Sequence, residues 1–279
     1  MKHPLISVIV TTRNNHETLE ACLQSIADQS YDMIELIVVD NNSSDDTKDI
    51  AHRFTKHVYN KGPERSAQRN YAVQKATGDY VCIIDSDMVL SSDVIASCAE
   101  TVAADADLRA LIIPEESFGV GFWAQCKKLE RSFYVGVDWI EAARFFDKKT
   151  YLEVGGYNEN MTGGEDWDFT RRMRRAVSVG RSKAFIYHNE GHIYFGKTMR
   201  KMYYYASNAG AYFAVNDDQS ALTDKSGPLA RYQLFLSQPG KLFRNPFYGL
   251  GALTLKTGEF AAGAAGLAKS RLRKQKVVA

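Results

Sequence analysis

The sequence Tyr80-Val81-Cys82-Ile83-Ile84-Asp85-Ser86-Asp87-Met88 decides the fold class. It begins as an uninterrupted run of β-branched and aromatic residues, which is typical of a central strand covered on both faces of a parallel sheet. The run stops at two carboxylates, and ligands of open α/β sheets bind at the carboxyl ends of strands. Asp85 and Asp87 repel each other unless a cation lies between them. A divalent cation carrying a diphosphate satisfies this arrangement, because Mg²⁺ and Mn²⁺ prefer carboxylate and phosphate oxygens. Two solvated acids at a turn are the alternative.

The residues before this stretch alternate between strand and helix patterns. Thr77-Gly78-Asp79 is predicted to end the third helix through a glycine C-cap. The alternation predicts a doubly wound sheet. Neither a Gly-x-Gly-x-x-Gly after the first strand nor a Gly-x-x-x-x-Gly-Lys-Ser/Thr is present, which argues against a dinucleotide oxidoreductase and an NTPase. The predicted strands are 6–10, 34–39, 57–59 and the run from Tyr80, and the predicted helices are 17–29, the segment through Phe54, and 64–76.

Polar side chains follow the predicted strands. Thr11, Thr12 and Arg13 come after the first strand and suit the polar edges of a nucleotide, although strand-to-helix turn chemistry is an equally simple reason for them. Asp40 follows the second strand, where an acid can accept a base or ribose hydrogen bond. A pair of arginines, Arg65 and Arg69, shares one helix face. These guanidinium groups could clamp a diphosphate or hold the acids at the sheet end, or form a solvated basic face.

The length, net charge and cysteine content of the chain restrict its function less closely. Its 279 residues are enough for a sizeable core, and the net charge of +2 excludes neither anionic ligands nor a membrane surface. The four cysteines contain no Cys-x-x-Cys pair, which is typical of reduced packing residues in a cytosolic protein. Because no apolar signal region precedes the first strand, we expect a cytoplasmic protein.

The second half contains a further chemical stretch and a change of pattern. Gly163-Gly164-Glu165-Asp166 places acids at a predicted helix start, where helix capping is the simple reading. A strand is predicted at Ser182–Tyr187, ending at His188. Residues 196–279 are predicted to form a helical extension to a domain of residues 1–195. The apolar segment 247–267 and the basic tail Lys269, Arg271, Arg273, Lys274 and Lys276 indicate either a peripheral position on an anionic membrane surface or packing on the domain.

Together these motifs resemble glycosyltransferase family 2 with the GT-A fold, a Rossmann-like doubly wound mixed sheet. The resemblance covers about residues 4–192 in unbroken order. Its motifs are Ile6 to Thr12, Val38 to Ser43, Gln68-Arg69-Asn70, Ala76 to Tyr80, Asp85-Ser86-Asp87, Arg144-Phe145-Phe146, Gly155-Gly156-Tyr157 and Gly163 to Asp168.

The resemblance implies residue roles. Asp87 would be the direct ligand of a divalent cation, Mg²⁺ or Mn²⁺, and Asp85 a ribose or metal contact. A histidine after the later strand would complete the metal site, with His188 slightly preferred to His192 because it ends the predicted strand. Asp166 would be the catalytic base, with Glu165 orienting sugar or acceptor. The donor contacts would be Thr11, Thr12, Arg13, Asp40, Arg65, Arg69, Asp85 and Ser86.

The resemblance further implies an inverting, metal-dependent transfer of a sugar from a nucleotide-diphosphate donor to a glycan or lipid-linked acceptor, at the cytoplasmic membrane face and without nucleic acid. A nucleotidyltransferase is a rival, but Thr11 to Asn15 lacks the Gly-rich signature loop expected of one. A non-catalytic nucleotide- or carbohydrate-binding module is the alternative outside enzymes. The acids at 85, 87, 165 and 166 argue against it.

Overall fold

The computed structural model describes residues 3–161, 163–208 and 227–278. The chain divides into two compact units, the first comprising Met1–Glu116, Glu141–Glu159 and Glu165–Asn189, and the second the remainder. The domains predicted from the sequence, 1–195 and 196–279, stay a prediction. The compact units differ from them mainly because the second unit also contains residues 117–140 and 160–164.

The four strands predicted in the first ninety residues are all present. In order, the strands of the described residues are β1 (Ile6–Thr12), β2 (Ile34–Asp40), β3 (Val58–Asn60), β4 (Tyr80–Asp85), β5 (Met88–Leu90), β6 (Leu108–Ile112), β7 (Glu115–Val120), β8 (Ala143–Asp147), β9 (Ser178–Arg181) and β10 (Ile186–His192).

The helices of the described residues alternate with these strands and then dominate the end of the chain. They are α1 (His16–Ala27), α2 (Thr47–His52), α3 (Arg65–Lys75), α4 (Val94–Ala104), α5 (Phe122–Ser132), α6 (Lys148–Glu153), α7 (Glu165–Ala176), α8 (Phe195–Asn208), α9 (Pro228–Leu236), α10 (Pro239–Leu242) and α11 (Pro246–Val278).

The main sheet has seven strands in the order β3-β2-β1-β4-β8-β6-β9. The first four positions are parallel, as the doubly wound pattern predicts, with β1 between β2 and β4. Strand β8 then enters antiparallel to both β4 and β6, which makes the sheet mixed. A smaller sheet has the order β5-β10-β7.

The core of the first unit lies on both faces of the main sheet. Side chains of β1 alternate between the two faces, so that Val8 and Val10 join one apolar cluster with α1 and α4. Ile9 joins the other cluster with α3 and α7. Burial on both faces explains why β1 and β4 read as nearly continuous apolar runs.

Two local expectations from the sequence were wrong. Helix α3 ends at Lys75 and the chain leaves it through an extended Ala76, so Gly78 is not a C-cap. A side chain at Gly78 would instead meet the backbone of Leu5 and Ser7, at 2.7 and 2.8 Å from its Cβ. The predicted strand at 182–187 is displaced: β9 ends at Arg181, and β10 runs from Ile186 through His188 to His192. His188 therefore lies inside a strand.

In the second unit, α5 and α11 are joined by buried charges. Lys127 Nζ lies 3.0 Å from Glu130 Oε2 and 2.9 Å from Glu259 Oε1. Lys256 Nζ lies 2.6 Å from Glu130 Oε1 and 2.5 Å from Glu259 Oε2. Burial alone would raise the pKa of Glu130, but the two ammonium groups lower it to about 2. Each charged group of this quartet faces two of opposite sign.

No helix among the described residues is long and apolar enough to cross a bilayer. Of the predicted basic tail, the side chains of Arg271, Arg273, Lys274 and Lys276 lie outside the part of the chain that the structure describes. The predicted localisation, cytoplasmic with a peripheral position on the membrane as the alternative, stays a prediction.

Candidate functional site

The candidate site is built at the carboxyl ends of β1, β2 and β4. The register pairs Thr11 with Asp85 and Thr12 with Asp40, so the polar residues that follow different strands meet at one edge of the sheet. Thr12 Oγ1 is buried there and has no hydrogen-bond partner among the described residues. A buried hydroxyl without a partner is costly, so this edge favours a polar ligand.

Arg69 is the centre of the site. Its completely buried guanidinium donates from Nη2 to Asp85 Oδ1 and from Nη1 to Asp166 Oδ1, each at 2.7 Å. The Tyr157 ring lies against the same group, with 4.8 Å between the guanidinium carbon and the ring centroid. The sequence left open whether this arginine clamps a diphosphate, holds the acids at the sheet end or lies on a solvated face. In the structure, Arg69 holds the acids.

Arg144 holds Asp85 from the other side. Its Nη1 lies 3.4 Å from Asp85 Oδ2, and its Nε lies 2.5 Å from Glu115 Oε1. Burial alone would raise the pKa of Asp85, but the guanidinium groups of Arg69 and Arg144 hold it well below its usual range. The sequence analysis assigned Arg144 no part in the site. The available signal was a charged residue inside the apolar strand Ala143–Asp147, because buried charges require partners.

Asp87 is placed differently from Asp85, although only Ser86 separates them. The chain turns after β4, and the Asp87 side chain is 39% exposed. Its Oδ2 lies 3.3 Å from His188 Nε2, because β10 pairs His188 with Met88. A carboxylate oxygen and an imidazole nitrogen at this separation fit a divalent cation that takes its other ligands from water and a diphosphate.

The other predicted metal ligands fit less well. Both carboxylate oxygens of Asp85 are engaged by guanidinium groups. His192 belongs to the second unit, where its ring packs on Tyr194 at 5.0 Å between centroids. Within the described residues no group of three His, Cys, Asp or Glu side chains could hold a metal. Of the predicted ligands, Asp87 and His188 are the two that lie next to each other, and their role as metal ligands stays a prediction.

The two acids at the start of α7 differ in exposure. Glu165 is almost fully buried, and its Oε1 is in contact with Arg65 Nε. Burial and the neighbouring Asp166 raise the pKa of Glu165 in spite of Arg65 and Arg69. Asp166 is 30% exposed and uses Oδ1 to accept from Arg69. Asp166 is therefore the acid at this position that a ligand can reach.

The remaining predicted donor contacts are present at the same edge with varied partners. Asp40 is buried and accepts the Ser43 backbone N–H at Oδ2 (2.8 Å) and the Ser43 hydroxyl at Oδ1. Ser86 Oγ accepts from Asn15 Nδ2 at 2.7 Å. Arg13 is exposed just beyond β1. Their roles as donor contacts, like those of Thr11, Thr12 and Arg65, stay predictions.

Replacing Arg69 by methionine should leave Asp85 and Asp166 without their shared partner. The loss of one partner of a buried ion pair costs about 3–5 kcal/mol, so we expect Arg69→Met to lower the free energy of unfolding by that order in urea titration. Arg175→Met is the matched control, since Arg175 is exposed on α7 and surface changes cost within about 0.5 kcal/mol. Equal, small losses for both variants would contradict the central role of Arg69.

Glu165→Gln should change how stability depends on pH. The folded state raises the pKa of Glu165, so the stability due to its protonated form is complete below the unfolded pKa, about 4.3, and is lost as pH rises through the folded pKa. Glutamine does not titrate, so the stability of the variant does not fall in this pH range for this reason. Its Tm relative to wild type should therefore be higher at neutral pH than at acidic pH, whereas the exposed control Glu153→Gln should show no such trend. A Tm difference independent of pH would refute the assignment.

Comparisons with curated proteins find related glycosyltransferases. The GalNAc(5)-diNAcBac-PP-undecaprenol beta-1,3-glucosyltransferase of Campylobacter jejuni is 29% identical over 212 residues, 68% of this chain and 64% of that protein. The putative glycosyltransferase EpsH of Bacillus subtilis is 31% identical over 116 residues, 39% of this chain and 33% of that protein. These alignments span between a third and two thirds of the relatives' own lengths.

Solved structures share the fold at lower identity. The mannosyltransferase PcManGT from Pyrobaculum calidifontis, in complex with GDP-Man and Mn²⁺, has a TM-score of 0.55 at 18% identity and covers 99% of this chain and 80% of its own. S. aureus TarS 1-349 in complex with UDP-GlcNAc has a TM-score of 0.52 at 16% identity, with 96% of this chain and 89% of its own covered. The fold is therefore GT-A, as the resemblance predicts.

The family model covers the part of the chain that carries the sheet edge of the site, whereas Glu165, Asp166 and His188 lie beyond its last matched residue. The sequence model of Glycosyl transferase family 2 matches residues 7–158, more than half of the 279 residues. This range includes β1 through α6 and, with them, Asp85, Asp87, Arg69 and Arg144. The chain belongs to glycosyl transferase family 2.

Proposed function

We propose that this protein is a metal-dependent, inverting glycosyltransferase that moves a sugar from a nucleotide-diphosphate donor to a glycan or lipid-linked acceptor. The observation that carries the proposal is the separation of the acids at the sheet edge. Asp85 is held by two arginines, Asp87 lies beside His188, and Asp166 is held at one oxygen and partly exposed. One edge thus offers both a cation site and a base.

Each of these acids has a distinct part in the proposed reaction. Asp87 and His188 would hold Mg²⁺ or Mn²⁺, and a bound cation would neutralise charge on the departing diphosphate. Asp166 removes the proton of the acceptor hydroxyl while that oxygen attacks the anomeric carbon and the bond to the diphosphate breaks. Arg69 keeps Asp166 in one orientation, and general-base catalysis depends on such positioning.

Named relatives support the classes of donor and acceptor. GDP-Man with Mn²⁺ and UDP-GlcNAc are bound by the two solved neighbours, which supports a nucleotide-sugar donor. The name of the Campylobacter relative includes PP-undecaprenol, which supports a lipid-linked acceptor. A lipid-linked acceptor would place the reaction at the inner face of the cell membrane, on a protein that is otherwise cytoplasmic.

A thermal-shift panel of nucleoside diphosphates and nucleotide sugars, with and without Mn²⁺, tests the function. A ligand that binds only the folded state raises its stability with the logarithm of ligand concentration, so the correct donor should raise Tm and should need Mn²⁺. The identified donor is then incubated with lipid-linked acceptors and product is measured. Metal-dependent binding with neither transfer nor hydrolysis would identify a binding module instead of an enzyme.

Asp87→Asn should abolish the metal-dependent part of nucleoside diphosphate binding, because the amide supplies no charge to the cation. Isothermal titration calorimetry with Mn²⁺ measures the change. Asp107→Asn, at an exposed carboxylate outside the site, is the control and should bind like wild type. Unchanged affinity in Asp87→Asn would remove Asp87 from the cation site.

Asp166→Asn should bind the donor normally and lose transfer by at least about 10²-fold, the lower end of general-base contributions. The amide oxygen can still accept from Arg69, so the fold and the acids around it keep their positions. Donor affinity and kcat are measured on the same preparation. Turnover near the wild-type rate would move the base elsewhere, first to Glu165.

A further inference from the structure

Up to Ala268, helix α11 keeps its charged residues on the face that packs against α5. Between Pro246 and Ala268 its charged residues are Lys256 and Glu259, and both are buried in the quartet with α5. Its outward stripe contains no charge. Seven exposed residues are spaced alternately by three and four, as one face of a helix requires, and they are Phe247, Leu250, Thr254, Thr257, Ala261, Ala264 and Ala268; Pro246 and Ala265 are exposed beside them.

Both hydroxyl groups on this stripe donate their protons within the helix. Thr254 Oγ1 donates to the Leu250 carbonyl at 2.9 Å, and Thr257 Oγ1 donates to the Leu253 carbonyl at 2.7 Å. The stripe runs over the 22 residues from Phe247 to Ala268, and the rise between these two residues is about 32 Å at 1.5 Å per step. A helix face of this length without a charge is unusual against water, because surface helices normally carry their charged residues outward.

The large apolar side chains are concentrated at the start of the helix. Phe247 is 77% exposed, Leu250 59%, Leu236 57% and Phe243 40%. The turn that presents them is well built: Asn245 Oδ1 accepts from the backbone N–H groups of Phe247 and Tyr248. Leu242 and Phe235 face inward and pack with Phe133. The outward residues are therefore held exposed by a packed turn.

The charged residues near the start of α11 indicate which kind of surface would cover its exposed apolar side chains. From Gly227 to Gly258 the chain has Arg231, Lys241, Arg244 and Lys256 and neither Asp nor Glu. Arg244 is exposed beside Phe243, and Lys241 next to it donates to the Ser132 carbonyl. Exposed aromatic and aliphatic side chains beside cations match the boundary of an anionic bilayer.

We propose that the turn between α9 and α11, together with the outward stripe of α11, docks on an anionic lipid surface. Phe243, Phe247, Leu250 and Leu236 enter the boundary between headgroups and acyl chains, and Arg244 pairs with lipid phosphates. A second copy of this chain fits less well, because a two-fold contact centred on Phe247 would bring two Arg244 groups together. This proposal rests on the proposed function, because docking on a membrane would bring the enzyme to a lipid-linked acceptor.

The docking proposal is tested by flotation of the full chain with two kinds of vesicle, phosphatidylcholine alone and phosphatidylcholine mixed with phosphatidylglycerol. Wild type should bind the anionic vesicles more tightly. The double variant Phe247→Ser with Leu250→Ser should bind them at least ~10-fold more weakly, because apolar burial drives interfacial binding. Arg244→Glu should weaken binding to the anionic vesicles and leave binding to neutral vesicles unchanged. Leu152→Ser, at an exposed leucine of α6 in the first unit, is the matched control and should behave like wild type.

The outcomes separate this proposal from the proposed function. Flotation uses neither donor nor acceptor, and nucleotide binding by the double variant is measured separately by thermal shift, where it should equal wild type. Absence of vesicle binding, or equal binding by wild type and the double variant, overturns the docking surface and leaves the catalytic proposal standing. A concentration-dependent dimer in light scattering that the double variant loses would also overturn it, because the face would then serve self-association.

Discussion

The site depends on one buried positive charge, the guanidinium group of Arg69. Arg69 brings a positive charge to a sheet edge where Asp85, Glu165 and Asp166 meet, and each of these acids lies within 3.6 Å of its guanidinium. Carboxylates taken out of water destabilise a fold strongly unless they are paired. The edge can hold this much negative charge because α3 supplies Arg69 and β8 supplies Arg144 from the opposite side.

These ion pairs give different surroundings to acids that look equivalent in the sequence. Asp85 is the last residue of β4 and is fixed by two arginines, so it anchors the edge. The turn that follows carries Asp87 away from them and toward His188. The same contrast recurs on α7, where Glu165 is buried against Arg65 and Asp166 keeps part of its carboxylate exposed. One acid of each pair builds the site, and the other is available to a ligand.

The features that could be predicted from the sequence are those that a local residue pattern determines. Strands β1, β2 and β4 are recognisable because their residues are apolar on both faces, and the polar residues after them fall where the register brings them together. The parts that it misses depend on distant segments. Whether Arg69 faces a ligand or the acids is decided by α7, and the role of Arg144 is decided by an antiparallel strand inserted beside β4. The position of β10 likewise depends on its pairing with β5 and β7, which no local pattern encodes.

The position of β8 has a consequence for the order in which this protein acquires its site. The parallel strands β1 to β4 are complete by Asp85, yet Arg144 lies 59 residues further along the chain and Asp166 lies 97 residues beyond Arg69. Contacts between distant segments form slowly, because closing the intervening loop costs conformational entropy. A chain emerging from the ribosome therefore has its first strands, with Arg69 available to Asp85, well before it has Arg144 and Asp166. The edge is therefore complete only once the chain has been synthesised beyond Asp166.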